Sequence, residues 1–222
     1  MKLGKDALEA LRAEVAGFLT PGEELAVVGC IALRGTVMLA EQEEKTLRTY
    51  FSEGFLYQCR NLENEYGAGD IALAWETARR EGATAMYAMG EGGILSALWK
   101  MAEAFGVGLR ADLRRIPIRQ ETIEACERFD LNPYYLMSQG ALLIGIPSGE
   151  KLVREYARTG IPAAVIGYTD AGNDRLLYSG EHVRYLDRPA QDEFYKMGER
   201  AVLMERRAKI PYGAPGSGSK KQ

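Results

Sequence analysis

Hydrophobic positions along the chain follow two patterns, one typical of helices and one typical of short strands. Apolar residues recur three and four positions apart in residues 3–18 and 94–105, which is the spacing of one helix face. Composition, cap signals and stop signals predict further helices over residues 42–65, 70–82, 122–129, 148–158 and 190–207. Short apolar runs beside glycine, proline or polar residues predict strands over residues 25–29, 36–39, 84–88, 107–113, 140–147, 163–168 and 176–178.

The order of these elements indicates the fold class. Asp70 and Ser148 are placed to cap the helices that follow them. The Gly172-Asn173-Asp174 sequence is typical of a hairpin turn and should join the last two strands. Because helices and strands interleave, we expect an α+β domain with a mixed, largely antiparallel sheet and packed helices.

The chain divides into three predicted segments. An N-terminal amphipathic helix lies in residues 1–22, and the main domain covers residues 23–208. Residues 209–222 are rich in glycine, serine and lysine and have little apolar area to bury, so they are predicted to be a flexible tail.

Charge and composition exclude several classes of function. The 222 residues include 28 basic and 31 acidic side chains, a formal charge of −3, which argues against a general electrostatic binder of nucleic acid or membranes. The N-terminus carries charges where a signal peptide is apolar, and no apolar run approaches the roughly 18 residues that span a bilayer. The sequence therefore predicts a cytoplasmic protein.

Cysteine and histidine give little indication of chemistry. Cys30, Cys59 and Cys126 are widely separated, so neither a disulfide framework nor a metal site is predicted, and each is interpreted as a small buried hydrophobe. His182 is the one histidine, and no Gly-x-Ser-x-Gly motif accompanies it. We expect His182 to be exposed at the edge of a strand.

The candidate binding site is the turn formed by Gly90, Glu91, Gly92 and Gly93, between a predicted strand and a predicted helix. Backbone N–H groups and the positive end of the helix dipole meet at such a corner, so a phosphate or another anion could bind there. The turn has no P-loop Lys-Ser/Thr, and Glu91 adds a negative charge. Taken alone, these residues favour the plainer interpretation, a tight turn beneath a packed helix.

The chain from about residue 25 to 195 resembles the C-terminal domain of a superfamily of ATP-using enzymes. Its members include aminoimidazole ribonucleotide synthetase (AIR synthase), selenophosphate synthetase, thiamine-monophosphate kinase and the carbamoyl-dehydrating hydrogenase maturation protein, and the likeness is greatest to the last. The matching segments, in family order, are residues 28–31, 34–36, 85–94, 106–109, 116–118, 126–127, 131–133, 138–140 and 164–167.

The resemblance also implies differences from the active enzymes. In those enzymes a separate N-terminal domain supplies the metal-binding aspartates, most nucleotide contacts and the dimer surface, and this chain is expected to begin after it. Ala88-Met89-Gly90 stands where the family has Asp-Pro-Thr, Arg114-Arg115 replaces an acidic stretch, and Gln139 replaces a glutamate. The chain ends in Ser-Lys-Lys-Gln where hydrogenase maturation enzymes carry a terminal cysteine.

Two functions from different classes are compatible with this resemblance. The first is a non-catalytic or catalytically reduced binding or regulatory module that retains an anion-binding turn. The second is one subunit of a split ATP-dependent enzyme, completed by a separate nucleotide-binding chain. The substituted carboxylate and hydroxyl favour the first, so we expect no enzyme activity from the chain alone and assign no catalytic residue.

The resemblance further implies ligands and partners. Phosphate, or ATP with magnesium, is the candidate ligand at residues 90–93. The expected partner is a second copy of the chain or a protein that supplies the N-terminal domain, because without that domain one side would expose apolar surface. The first helix, residues 3–18, is the candidate to cover that surface.

Overall fold

The computed structural model describes residues 3–189 and 191–197. Its helices are α1 (Lys5–Ala13), α2 (Leu33–Gln42), α3 (Glu44–Leu47), α4 (Glu53–Tyr66), α5 (Ile71–Arg80), α6 (Gly93–Phe105), α7 (Gln120–Arg128) and α8 (Glu150–Arg158). Its strands are β1 (Ala16–Gly17), β2 (Glu24–Val28), β3 (Ala85–Ala88), β4 (Gly108–Asp112), β5 (Leu142–Ile146), β6 (Ala163–Asp170), β7 (Arg175–Ser179) and β8 (His182–Tyr185). Short 3₁₀ turns form at Leu113–Arg115, Pro133–Tyr135 and Glu193–Tyr195.

The eight strands form one sheet in the order β1-β3-β5-β2-β6-β4-β7-β8. All neighbouring pairs are antiparallel except β4 and β7, which are parallel. This mixed, largely antiparallel sheet with packed helices confirms the predicted α+β class.

Apolar residues on both sides of the central strands build two cores. Val27 of β2 and Leu143 of β5 face a large core that includes Ile94, Leu98 and Met101 of α6. The alternate residues of the same strands face a second core, which α5 and α8 cover with Ala74, Ala78, Leu152 and Tyr156. The period-two alternation of the strands thus places helices on both faces of the sheet.

The segment 36–39 is helical, and its prediction as a strand was wrong. It lies inside α2, which buries Gly35, Thr36, Leu39 and Ala40 at the three- and four-residue spacing of a helix. Thr36 tolerates the helix because its hydroxyl donates to Ala32 O, four residues earlier, at 2.8 Å.

The hairpin predicted at residues 172–174 does not form. β4 lies between β6 and β7, pairing antiparallel with β6 and parallel with β7, so the turn connects strands that are not neighbours. The hairpin in this region is β7–β8, with Ser179 opposite His182. All four residues of β8 are exposed, as expected for His182.

Helix boundaries differ from the predictions at three places. Residues 42–65, predicted as one helix, contain the end of α2, the short α3 and most of α4, with a turn at residues 48–50 between the last two. The first helix ends at Ala13, and Ala16–Gly17 then pairs with β3 as an edge strand. Ser148 does not cap α8; Gly149 is the N-cap, and its N–H donates to the Glu24 carboxylate at 2.7 Å. Asp70 does cap α5, as predicted, by accepting from the N–H groups of Ala72 and Leu73.

Two further predictions fall largely outside the described residues. Of the helix predicted over residues 190–207, only residues 191–197 are described, and these include the 3₁₀ turn Glu193–Tyr195. The tail 209–222 lies wholly outside the described residues. Within the part that is described, no helix has the length and apolar character needed to cross a membrane.

Candidate functional site

The predicted glycine turn lies between the end of β3 and the start of α6. Gly92 and Gly93 have φ angles of +75° and +60°, in the left-handed region that favours glycine. A Cβ on Gly93 would lie 2.6 Å from Tyr134 O and 2.7 Å from Leu136 O. Glycine is therefore required at position 93 by both backbone conformation and close packing.

A carboxylate from the end of the described chain binds this turn. The Gly92 N–H donates to Asp192 Oδ2 at 2.7 Å, and the Phe194 N–H donates to Asp192 Oδ1 at 2.9 Å. The residue Asp192 is only 3% exposed. An intramolecular anion thus occupies the N-terminus of α6, where the helix dipole favours negative charge.

The protonation of Asp192 is set by opposing effects. Burial is the larger effect and raises the pKa of Asp192, while hydrogen bonds from the backbone of Phe194, Gly92 and Met137 act to lower it. The net direction is upward. The carboxylate is therefore held in a site that desolvates it and at the same time supplies N–H donors.

The four residues of the turn differ in accessibility. Gly92 and Gly93 are buried, Gly90 is half-buried and Glu91 is exposed. The Glu91 carboxylate accepts a hydrogen bond from the Tyr195 hydroxyl at 2.7 Å. The segment containing Asp192 and Tyr195 therefore contacts the turn at both its buried and its exposed side.

The loop after the 3₁₀ turn Pro133–Tyr135 joins this corner to the start of α2. Ser138 N–H donates to Gly90 O at 3.0 Å, and Ser138 Oγ accepts from the Ala32 N–H at 2.9 Å. Gly35 N–H donates to Met137 O at 3.1 Å. Backbone groups at the N-termini of both helices are thus bound by the protein's own atoms.

The sequence has two pairs of adjacent arginines, Arg79-Arg80 and Arg114-Arg115, and one member of each pair binds acidic neighbours outside the turn. Arg80 pairs with Glu81 and with Glu155 of α8. Arg114 lies at 3.4 Å from Asp112, at the end of β4. Among the described residues, no group of three or more His, Cys, Asp or Glu side chains is arranged to hold a metal ion.

Sequence reasoning identified the corner but missed Asp192. The Asp-Glu-Phe sequence at 192–194 carries the pattern of a capped turn, and that signal was available. Its contact with Gly92, 100 residues away in the chain, has no signature in the sequence. The binding of an external anion by residues 90–93 stays a prediction.

The sequence matches a known protein family over most of its length. Residues 20–178 match the C-terminal domain of AIR synthase related proteins. Because this match covers most of the chain, the protein belongs to that family, and the resemblance inferred from the sequence is confirmed.

Individual relatives refine this assignment. The chain is 28% identical over 139 residues to carbamoyl dehydratase HypE of Rhodobacter capsulatus, a match that covers 63% of this chain and 38% of HypE. It is 32% identical over 124 residues to the phosphoribosylformylglycinamidine synthase subunit PurL of Campylobacter lari, covering 53% of this chain and 15% of PurL. The chain is thus similar to one part of each of these longer proteins.

Solved structures show the same fold. The crystal structure of Escherichia coli HypE superposes with a TM-score of 0.63 at 22% identity, covering 78% of this chain and 52% of HypE. HypE in the HypE–HypF complex gives a TM-score of 0.61 at 19% identity, with 78% and 54% covered. The chain therefore spans about half the length of these structural neighbours.

Proposed function

We propose that this domain acts by binding a protein partner rather than by catalysing a reaction of its own. In this proposal the Asp192 carboxylate occupies the Gly92 N–H of the glycine turn, where an external anion would otherwise bind. The observation that carries the proposal is the 2.7 Å hydrogen bond from Gly92 N–H to Asp192 Oδ2. A turn that binds phosphate must offer its N–H groups to the ligand, and here the N–H at the start of α6 is already engaged.

Electrostatics strengthens this interpretation. The N-terminus of a helix carries roughly half a positive charge, which one carboxylate is sufficient to neutralise. Glu91, next in sequence to Gly92, adds a second carboxylate at the surface of the turn. An incoming phosphate would approach two negative groups, so binding requires that Asp192 leave first.

The side chains beside the turn support a non-catalytic role. Ala88, Met89 and Gly90 offer a methyl group, a thioether and no side chain, so none supplies the oxygen ligand that magnesium requires. Loss of a single group that stabilises a transition state typically lowers kcat by about 100- to 1,000-fold. In this arrangement the described residues do not fit ATP with magnesium.

A second candidate function is one part of an ATP-dependent enzyme completed by another domain or chain. The observation that favours it is the structural likeness, with a TM-score of 0.59, to a hydrogenase maturation protein HypE in complex with ATP. The chain covers 53% of that protein, and another HypE neighbour is in complex with HypF. In this alternative, phosphate or ATP with magnesium would bind residues 90–93 after Asp192 has moved.

Calorimetric titration separates the two candidates. Phosphate, ADP and ATP, each with and without magnesium, are titrated into the wild-type chain, Asp192→Asn and the control Asp187→Asn, which alters an exposed residue five positions earlier. We expect no saturable binding to the wild type or the control at about 1 mM ligand. ATP binding or hydrolysis by the wild-type chain alone would contradict the proposal, and activity that requires an added partner would establish the second candidate.

The same titration tests the closing role of Asp192. Phosphate binding by Asp192→Asn alone would show that the backbone donors of the turn accept an anion once the carboxylate is neutralised. Absence of binding in all three proteins would leave the turn as a packing element.

A further inference from the structure

A small cleft lies on one face of the sheet, at the end of β4 and between β6 and β7. Its volume is about 340 Å³, and it is lined by Arg110, Asp112 and Arg115 together with two aromatic side chains, Tyr168 and Tyr178. We call this surface the tyrosine cleft. Sites for small molecules measure about 300 to 1,000 Å³, so the cleft has the size of a site for a small ligand.

The strand register places the side chains of the tyrosine cleft on one face. Arg110 of β4 is opposite Tyr168 of β6, and Asp112 is opposite Tyr178 of β7. Arg110 Nη1 also donates to the Tyr178 hydroxyl at 2.9 Å. The intervening Ala111 is buried with α6 in the large core. The cleft therefore points away from α6 and from the glycine turn that precedes it.

A β-bulge in β6 turns Tyr168 into the cleft. The register between β2 and β6 shifts by one residue, which leaves Ile166 as an extra residue in β6. Strict alternation would put Val165 and Tyr168, three residues apart, on opposite faces, and the extra residue puts both on the same face. A Cβ on Gly167 would overlap Arg110 O, so the bulge requires glycine there. Bulges that re-aim a side chain are common beside binding sites.

The charges of the tyrosine cleft leave one guanidinium without a partner. Arg110 pairs with Asp170 at 3.3 Å, and Asp112 pairs with Arg114 at 3.4 Å. Within the described part of the chain, the Arg115 side chain forms no ion pair or hydrogen bond, and it acts on Asp112 only by longer-range attraction. The cleft thus carries one positive charge that no neighbour neutralises, and it suits a ligand with one negative charge.

The cavity on the other side of Arg115 has the same charge balance. It measures about 510 Å³ and is lined mainly by α8 and the start of β6. Arg154 there pairs with Glu150 at 2.7 Å, and the Glu24 carboxylate accepts from the Gly149 N–H at 2.7 Å. Among the described residues that line the two cavities, Arg115 is the one charged side chain without a partner, and both cavities give access to it.

We propose that the tyrosine cleft binds a small aromatic carboxylate. Arg115 binds the carboxylate, because a guanidinium matches its two oxygens with two parallel N–H donors. Tyr168, which is 49% exposed, and the half-buried Tyr178 offer aromatic surface against which a planar ring packs. One free positive charge favours a monocarboxylate over the several negative charges of a nucleotide.

This site goes beyond the proposed function. Its ligand is a small molecule, in addition to the protein partner proposed above, and it lies on the face of the sheet opposite α6. Binding of magnesium-ATP at the glycine turn would contradict the proposed function and leave the tyrosine cleft unaffected. The failure of either proposal is therefore distinguishable from the failure of the other.

Titration of the ¹⁵N-labelled full chain with indole-3-acetate, followed by the backbone amide resonances of Gly167 and Tyr168, tests the proposal. We expect saturable shifts with a Kd below about 1 mM. Acetate supplies the charge without the ring and indole supplies the ring without the charge, so each should bind at least about tenfold more weakly. A Kd for indole-3-acetate above about 1 mM would overturn the proposal, as would equally tight binding of acetate or indole.

Substitutions test whether Arg115 anchors the carboxylate. Arg115→Gln should raise the Kd at least about tenfold, and Arg115→Lys, which keeps the charge but loses the planar fork, should raise it less. Arg184→Gln is the matched control, because Arg184 is also exposed but is opposite the buried Leu177, on the α6 side of the sheet. Its Kd should stay within about twofold of wild type. The same loss of affinity in Arg115→Gln and Arg184→Gln would show general attraction of anions and would overturn the assignment.

Discussion

Asp192 holds the end of the described chain onto the glycine turn, and each of its two oxygens has its own backbone donor. Oδ2 accepts from Gly92 and Oδ1 accepts from Phe194. Asp192→Asn keeps the shape but replaces one acceptor with an NH₂ donor that faces another donor. We expect the free energy of unfolding to fall by about 1 to 3 kcal/mol, measured by urea denaturation.

The pH dependence of stability gives a further test of the same residue. Burial raises the pKa of Asp192 above its ordinary value of 3.8. The folded state therefore retains a proton that the unfolded state releases, and the free energy of unfolding falls as pH rises from 3.8 through the raised pKa. The difference in unfolding free energy between wild type and Asp192→Asn should change over this pH interval. A constant difference would contradict the burial of the carboxylate.

The three buried cysteines should be unreactive in the native protein. Burial raises the pKa of Cys30 to about 11 and the pKa values of Cys59 and Cys126 to about 12. Because the thiolate is the reactive species, a disulfide reagent such as DTNB at pH 8 should modify these thiols only at the rate of unfolding. Stability should also fall as pH rises above 9 towards these values, since only the unfolded thiols ionise. Fast labelling of even one thiol would contradict their burial.

Among the structural elements, the corner between β3 and α6 is constrained by tight packing around Gly93. Gly93→Ala would force a Cβ against Tyr134 O and Leu136 O in a left-handed conformation. We expect a loss of about 2 to 4 kcal/mol, or failure to fold. Gly90→Ala is the matched control, because a Cβ there meets nothing within 4 Å and its φ is not positive. Thermal denaturation should show Gly90→Ala within about 0.5 kcal/mol of wild type.

The sequence predicted helices and strands well where a single spacing of apolar residues dominated a segment. Residues 94–105 have a helical apolar pattern and correspond closely to α6. Residues 36–39 were misassigned because β-branched Thr36 and Val37 favour strands locally, whereas packing of α2 against α4 and α7 decides the outcome. The 172–174 turn was misread because the insertion of β4 between β6 and β7 is a long-range property of the sheet.

For the whole molecule, both the fold class and the family could be predicted from the sequence, because both depend on the order of many short and individually weak motifs along the chain. The sequence predicted only part of the candidate site. Its strand–turn–helix geometry is local, but the carboxylate that binds it comes from Asp192, beyond every strand of the sheet. The order of β6, β4, β7 and β8 in the sheet likewise depends on strand pairing, which local sequence pattern does not specify.

We propose that the protein's own Asp192 carboxylate binds the glycine turn, so that the domain binds a protein partner instead of a nucleotide. The most direct measurement follows the backbone amide resonances of Gly90, Glu91, Gly92 and Gly93 in ¹⁵N-labelled wild-type protein during titration with phosphate and with magnesium-ATP. We predict that the Gly92 amide resonance does not move at ligand concentrations up to about 5 mM. Saturable shifts of these resonances at micromolar ATP would show instead that the turn is open to nucleotide.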